Sequence, residues 1–103
     1  MIKITADDLT FIGSCKEGTS VRHLYAISDQ LGEAFANPDK PACNGIYMLA
    51  VIHDCQDRIQ SVHLYAEDEK RPVETTLVPG TDYDMENIRA CEHVVLQQYF
   101  KKG

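Results

Sequence analysis

The side chains best suited to chemistry in this chain are histidines and cysteines spaced two apart, His53-x-Cys55 and Cys91-x-His93. Together they offer the ligand types that tetrahedral zinc takes. On a strand such residues share a face, but in a helix positions i and i+2 point roughly 200° apart. Residues 84 to 101 read as helix, so Cys91 and His93 would not close on one ion, and the Cys-x-x-Cys spacing of structural zinc sites is missing. No metal and no cofactor are expected. A thiol nucleophile needs a neighbouring base and a depressed pKa, and Cys55 beside His53 is the pair the sequence itself brings close. Cys55 falls in a polar turn with no third group to orient the histidine. The sequence therefore assigns no catalytic residue, and the expectation is a protein that is not an enzyme.

Two acidic runs invite a cation. Asp82-x-Asp84-x-Glu86 lacks the glycine and distal glutamate of the twelve-residue calcium loop, and capping of the following helix by Asp82 or Asp84 accounts for it. Glu67-Asp68-Glu69 suits a basic partner or a solvated loop between strands. The cluster with the mix of apolar bodies and polar tips found on binding surfaces is Met48, Ile52, His63 and Tyr65. With Glu67, Asp68 and Glu69 it makes up the predicted partner-binding set.

The element that must position that set is a β-hairpin over about 45 to 66, both arms rich in Ile, Val, Leu and Tyr around a polar middle, Asp54 to Arg58. If its turn is even, Tyr47, Leu49 and Val51 share the core face with Val62, Leu64 and Ala66. The other face then carries Ile46, Met48, Ala50 and Ile52 opposite Ile59, Ser61, His63 and Tyr65, too apolar to stand in water uncovered. An odd turn exchanges the two sets, because a one-residue slip flips every side chain. No Asn-Gly fixes the register.

Around the hairpin the chain predicts three helices and an edge strand. Thr5-Ala-Asp-Asp resembles a capping box, so a short helix is expected over about 6 to 13, with a strand through Leu9, Phe11 and Gly13 as its rival. Val21, Leu24, Tyr25, Leu31 and Phe35 fall at helical spacing after the break at Gly18, giving a helix over about 20 to 36 that Asn37-Pro38 ends. A proline-bracketed, β-branched stretch at about 73 to 78 suits an edge strand. Met85, Ile88, Cys91, Val95 and Tyr99 repeat every three or four residues, and the helix over about 84 to 101 ends on Lys101 and Lys102, which complement its dipole. The class expected is α+β, a small antiparallel sheet packed with helices. Ser-Val-Arg-His-Leu-Tyr-Ala at 20 and Ser-Val-His-Leu-Tyr-Ala at 61 echo each other, but one copy reads as helix and the other as strand, so the echo reads as chance.

Bulk properties bound the function. The 103 residues suit one domain, and 44% hydrophobic with 25% charged residues is the composition of a folded chain. Sixteen acidic against ten basic side chains leave a net charge of −6, which repels phosphate backbones and anionic lipid and suits a basic protein surface. No apolar run approaches the ~20 residues that span a bilayer. The start, Met1 to Asp8, lacks the pattern of a signal peptide, so a cytoplasmic address is expected. Cys15, Cys43, Cys55 and Cys91 are then reduced thiols, buried by default.

The segment Ile4-Thr-Ala-Asp-Asp-Leu-Thr-Phe-Ile-Gly-Ser-Cys-Lys-Glu-Gly18 resembles the start of many small, uncharacterised phage or prophage proteins. That resemblance carries no catalytic residue and implies a mobile-element origin. The functional expectation is a non-enzymatic protein-binding module, a small acidic inhibitor or anti-defence factor, for example anti-CRISPR-like. The alternatives are a structural or regulatory homodimer, and a small thiol- or metal-dependent enzyme.

Overall fold

The computed structural model describes residues 2–35, 46–68 and 71–101. Five strands, β1 (Leu9–Glu17), β2 (Ser20–Ile27), β3 (Ile46–His53), β4 (Ile59–Asp68) and β5 (Arg71–Thr76), form one antiparallel sheet in chain order. A short helix α1 (Asp29–Phe35) follows β2, and α2 (Met85–Lys101) closes the fold. The α+β class, the hairpin, the edge strand and the last helix stand as the sequence led us to expect. Among the described residues no helix is long and apolar enough to cross a membrane.

Two predicted helices are corrected. In place of a helix over 6 to 13 there is a single 3₁₀ turn, Ala6–Asp8, and then the rival strand. The cap is real: the Asp8 carboxylate accepts from the Thr5 N–H and hydroxyl, both at 3.0 Å. What it ends is one turn, because Asp8 also accepts from Ser28 Oγ at 2.7 Å and so ties the turn to the end of β2. That bond, the largest influence on Asp8, holds its carboxyl below the ordinary carboxylate range. The predicted helix over 20 to 36 is β2 followed by α1, with Ser28 as the hinge and Ser28 Oγ accepting from Leu31 N at 3.1 Å. Gly18, at φ +60, lets the chain reverse in two residues between Glu17 and Ser20. A central strand is half-buried on both faces, so β2 lacks the polar alternation that would have announced it.

The hairpin takes the even register by an unexpected route. Leu49 lies opposite Leu64 and Val51 opposite Val62, yet the loop of residues 54–58 is odd. A shift between Ile52–Ser61 and His53–Ile59 leaves Gln60 unpaired, and that bulge restores the phase. Asp54 organises the loop: its Oδ1 accepts from Gln56 N at 2.9 Å and Arg58 N at 3.0 Å. Asp57 closes it with φ +61, a left-handed conformation that Asp tolerates.

One face of the sheet carries the core: Leu9, Tyr25, Leu49, Val51, Val62 and Leu64 pack with Leu31 of α1 and Ile88, Cys91 and Val95 of α2. Both helices therefore stand on the same side. Asn87 fastens α2 to the N-terminal segment, exchanging 2.8 Å bonds with the N–H and carbonyl of Ile4. Asp84 caps α2 through Glu86 N at 2.9 Å, whereas Asp82 holds the preceding turn by accepting from Val78 N at 2.7 Å.

Candidate functional site

The face that carries no helix among the described residues reads in rows across the strands: Arg22, Ile52 and Ser61; then Leu24, Ala50, His63 and Thr76; then Ala26, Met48, Tyr65 and Glu74. The structure thus places the predicted Met48, Ile52, His63 and Tyr65 on one surface. It ties two of them into a polar network that the sequence did not reveal. Arg22 spans the rows to donate to Tyr65 Oη, with its Nη1 3.5 Å from Glu74 Oε1 and its Nε 3.5 Å from Glu17 Oε1. Tyr65 Oη donates to Glu74 at 3.0 Å, and His63 bonds Ser61 Oγ at 2.9 Å and Thr76 Oγ1 at 3.1 Å. Ala50, in the row between, is fully buried. Tyr65 and His63 are accordingly held in place, with Leu24, Met48 and Ile52 partly buried beside them. Glu67 and Asp68 end β4 opposite Pro72 and Arg71, and Glu69 lies outside the described residues.

On the helix-covered face a second constellation was missed altogether. Glu92 of α2 is buried, with its side chain 4% exposed, and both its oxygens are occupied. Tyr25 Oη donates to Oε2 at 2.5 Å and His53 Nε2 donates to Oε1 at 2.9 Å. Burial first, and then the carboxylate it faces, push the Tyr25 hydroxyl far above its ordinary pKa, so it stays a donor. The hydrogen bond to Glu92 raises His53 above its usual 6.5 against the opposing cost of burial. His23 packs edge-on against His53 with ring centroids 4.9 Å apart, and burial lowers its pKa. Its Nδ1 lies 3.1 Å from Ser14 Oγ. Two adjacent imidazoles are thereby driven toward opposite charge states.

Sequence reasoning singled out His53 but paired it with Cys55, its neighbour in the chain. Glu92 stands on the apolar stripe of its helix, four residues after Ile88 and three before Val95, and that spacing is the signal that could have found it. Cys91 donates from Sγ to the Ile4 carbonyl at 3.1 Å, and burial raises its pKa. Cys55 is exposed, as its place in the polar turn led us to expect; Cys15 on β1 is also exposed, against the expectation of mostly buried thiols, and Cys43 lies outside the described residues. Among the described residues no group of three or more His, Cys, Asp or Glu side chains is placed to hold a metal ion.

Comparison of the chain with protein-family models, with curated proteins and with solved structures found no significant match.

Proposed function

We propose that the protein is a non-enzymatic binding module, a small acidic inhibitor or anti-defence factor of a phage or mobile element, working in the cytoplasm on a protein with a basic surface. The observation that carries this reading is the sheet that is one-sided among the described residues: α1 and α2 both pack on one face, and the other presents Met48, Ile52, His63 and Tyr65, with Tyr65 held by Arg22 and Glu74 and His63 by Ser61 and Thr76. A rigid surface loses little side-chain entropy on docking, so its apolar and aromatic area is available to binding. Glu17 and Glu74, with side chains 58% and 43% exposed at the margins, supply the sign of the partner, in keeping with the net charge of −6. The likeness of residues 4–18 to phage and prophage proteins supplies the origin.

The test is capture from a host lysate with the wild-type chain and with Ile52→Asp and Glu74→Lys. The expected result is a basic partner retained at low salt by the wild type, released as salt rises, and not retained by either variant. Equal recovery by all three would overturn this surface. If the wild type instead binds a second copy of itself in sedimentation and Ile52→Asp does not, the occupant is a homodimer partner. Genes of host metabolism flanking this one would overturn the mobile-element origin.

A further inference from the structure

Glu92 spends both oxygens on Tyr25 and His53, which leaves His53 Nδ1 buried without a hydrogen-bond partner. Asp57 Oδ1 lies 3.6 Å from it and the Asp57 backbone also faces His53, while the Asp57 side chain is 92% exposed and free to move. His53, His23 and Asp57 line a cavity of about 210 Å³ whose far wall is α2, through Arg89, Glu92, His93 and Leu96. The same three residues line a wider depression of about 620 Å³ that runs to Lys16 and the Gly18–Thr19 turn. The two spaces meet at the histidine pair.

Arg22 and Arg58 have carboxylate partners, but among the described residues neither Arg89 nor Lys16 makes an ion pair. Glu92 is paired with His53, so the groups left facing the two spaces are Arg89, Lys16, His23 and His93, with Asp57 where the spaces meet and Asp54, itself paired with Arg58, on the wider depression. Ser14 donating to His23 Nδ1 would leave the His23 Nε2–H as a further donor.

We propose that this cavity binds the phosphate monoester group of a small molecule, with Arg89 supplying charge, His53 Nδ1–H and His23 supplying hydrogen bonds, Lys16 standing in the adjoining depression, and Asp57 as the group the phosphate displaces. Donors converging from two strands and a helix suit an anion with three terminal oxygens better than a planar carboxylate. A space of about 210 Å³ falls below the roughly 300–1,000 Å³ of a site that takes a whole drug-sized ligand, so it holds the phosphate while the ester group lies in the depression. An extended polyanion is a poor fit, because the net charge of −6 surrounds this small positive spot.

The experiment is NMR titration of the histidine Hε1 signals with phenyl phosphate, inorganic phosphate and phenyl sulfate, on the wild type, Arg89→Gln and Asp57→Asn. Phenyl phosphate should shift His23 and His53 saturably, leave His63 on the opposite face unmoved, and bind more tightly than either other probe. Arg89→Gln should weaken it roughly tenfold, as for the loss of one charge-assisted bond. Asp57→Asn, which keeps a residue tolerant of positive φ, should tighten it, because the competing carboxylate is gone. The tightening is the decisive arm, since a merely structural Asp57 would not give it. Absence of saturable shifts, equal binding by Arg89→Gln, weaker or unchanged binding by Asp57→Asn, or inorganic phosphate binding as well as phenyl phosphate would each overturn the proposal.

Discussion

The tetrapeptide His-Leu-Tyr-Ala occurs twice, as residues 23–26 in β2 and 63–66 in β4, on the two strands that flank β3. Both copies are strands, the first against the helical reading of its spacing. Yet the copies face opposite ways. Tyr25 and Leu64 both lie abreast of Leu49, so the tyrosine of one copy shares a face with the leucine of the other. Tyr25 is fully buried and gives its hydroxyl to a glutamate of α2, while Tyr65 gives its hydroxyl to a glutamate of β5 at the surface. His23 rests on His53 beneath α2, and His63 bonds Ser61 and Thr76 on the other side. A one-residue difference in phase against β3 makes one copy part of the interior and the other part of a presented surface.

The contrast can be broken most severely at its glutamates. Glu92→Ala strands His53 and the Tyr25 hydroxyl in the core and should cost about 3–5 kcal/mol in urea unfolding, the penalty for removing one member of a buried pair. Glu74→Ala, at a half-exposed site, should cost less than about 1 kcal/mol. Parity of the two losses would mean that Glu92 is solvated. Next come the tyrosines: Tyr25→Phe should lose about 1.5–3 kcal/mol, a bond to a charged acceptor. Tyr65→Phe should lose under about 1 kcal/mol, because water replaces the hydroxyl's partners.

Acid and base should separate the members of the buried pair. His53 has a raised pKa in the fold, so the stability it adds is complete below its unfolded value of 6.5 and drains away as pH climbs through the folded value. His23 has a lowered one, so its contribution is present above 6.5 and is lost as pH falls through its folded value. Stability followed by urea midpoint should form a dome, and His53→Gln should flatten its alkaline side alone. A dome that keeps its alkaline slope in that variant would assign the slope elsewhere. The smallest effect expected is that of Ser61→Ala, within about 0.5 kcal/mol, in keeping with a bond on the open face.

Much of the frame was legible in the chain. Alternation in the hairpin, the prolines around β5 and the three-to-four repeat of α2 all report on one local periodicity each, and each element sits where its pattern put it. The Thr5–Asp8 cap was also readable, though not what it capped. β2 misled because Val21, Leu24 and Tyr25 satisfy helical spacing, and as a strand inside the sheet it is at least partly buried on both faces. Of the open-face set, Met48, Ile52, His63 and Tyr65 could be grouped from strand parity alone, but Arg22 and Glu74, which pin Tyr65, come from other strands.

By itself, then, the sequence determined the class of fold, the hairpin with its apolar faces, the last helix and the sign of the surface charge, because each is set by neighbours within a few residues or by composition. Only the tertiary structure decided the rest. The Gln60 bulge, a single unpaired residue, set which face is core. The placement of both helices on that face left Tyr65 and His63 presented and closed Tyr25, His53 and Glu92 into one buried unit. Tyr25 and Glu92 stand 67 residues apart in the chain, and no local pattern encodes a hydrogen bond between positions that meet only when a helix crosses a sheet.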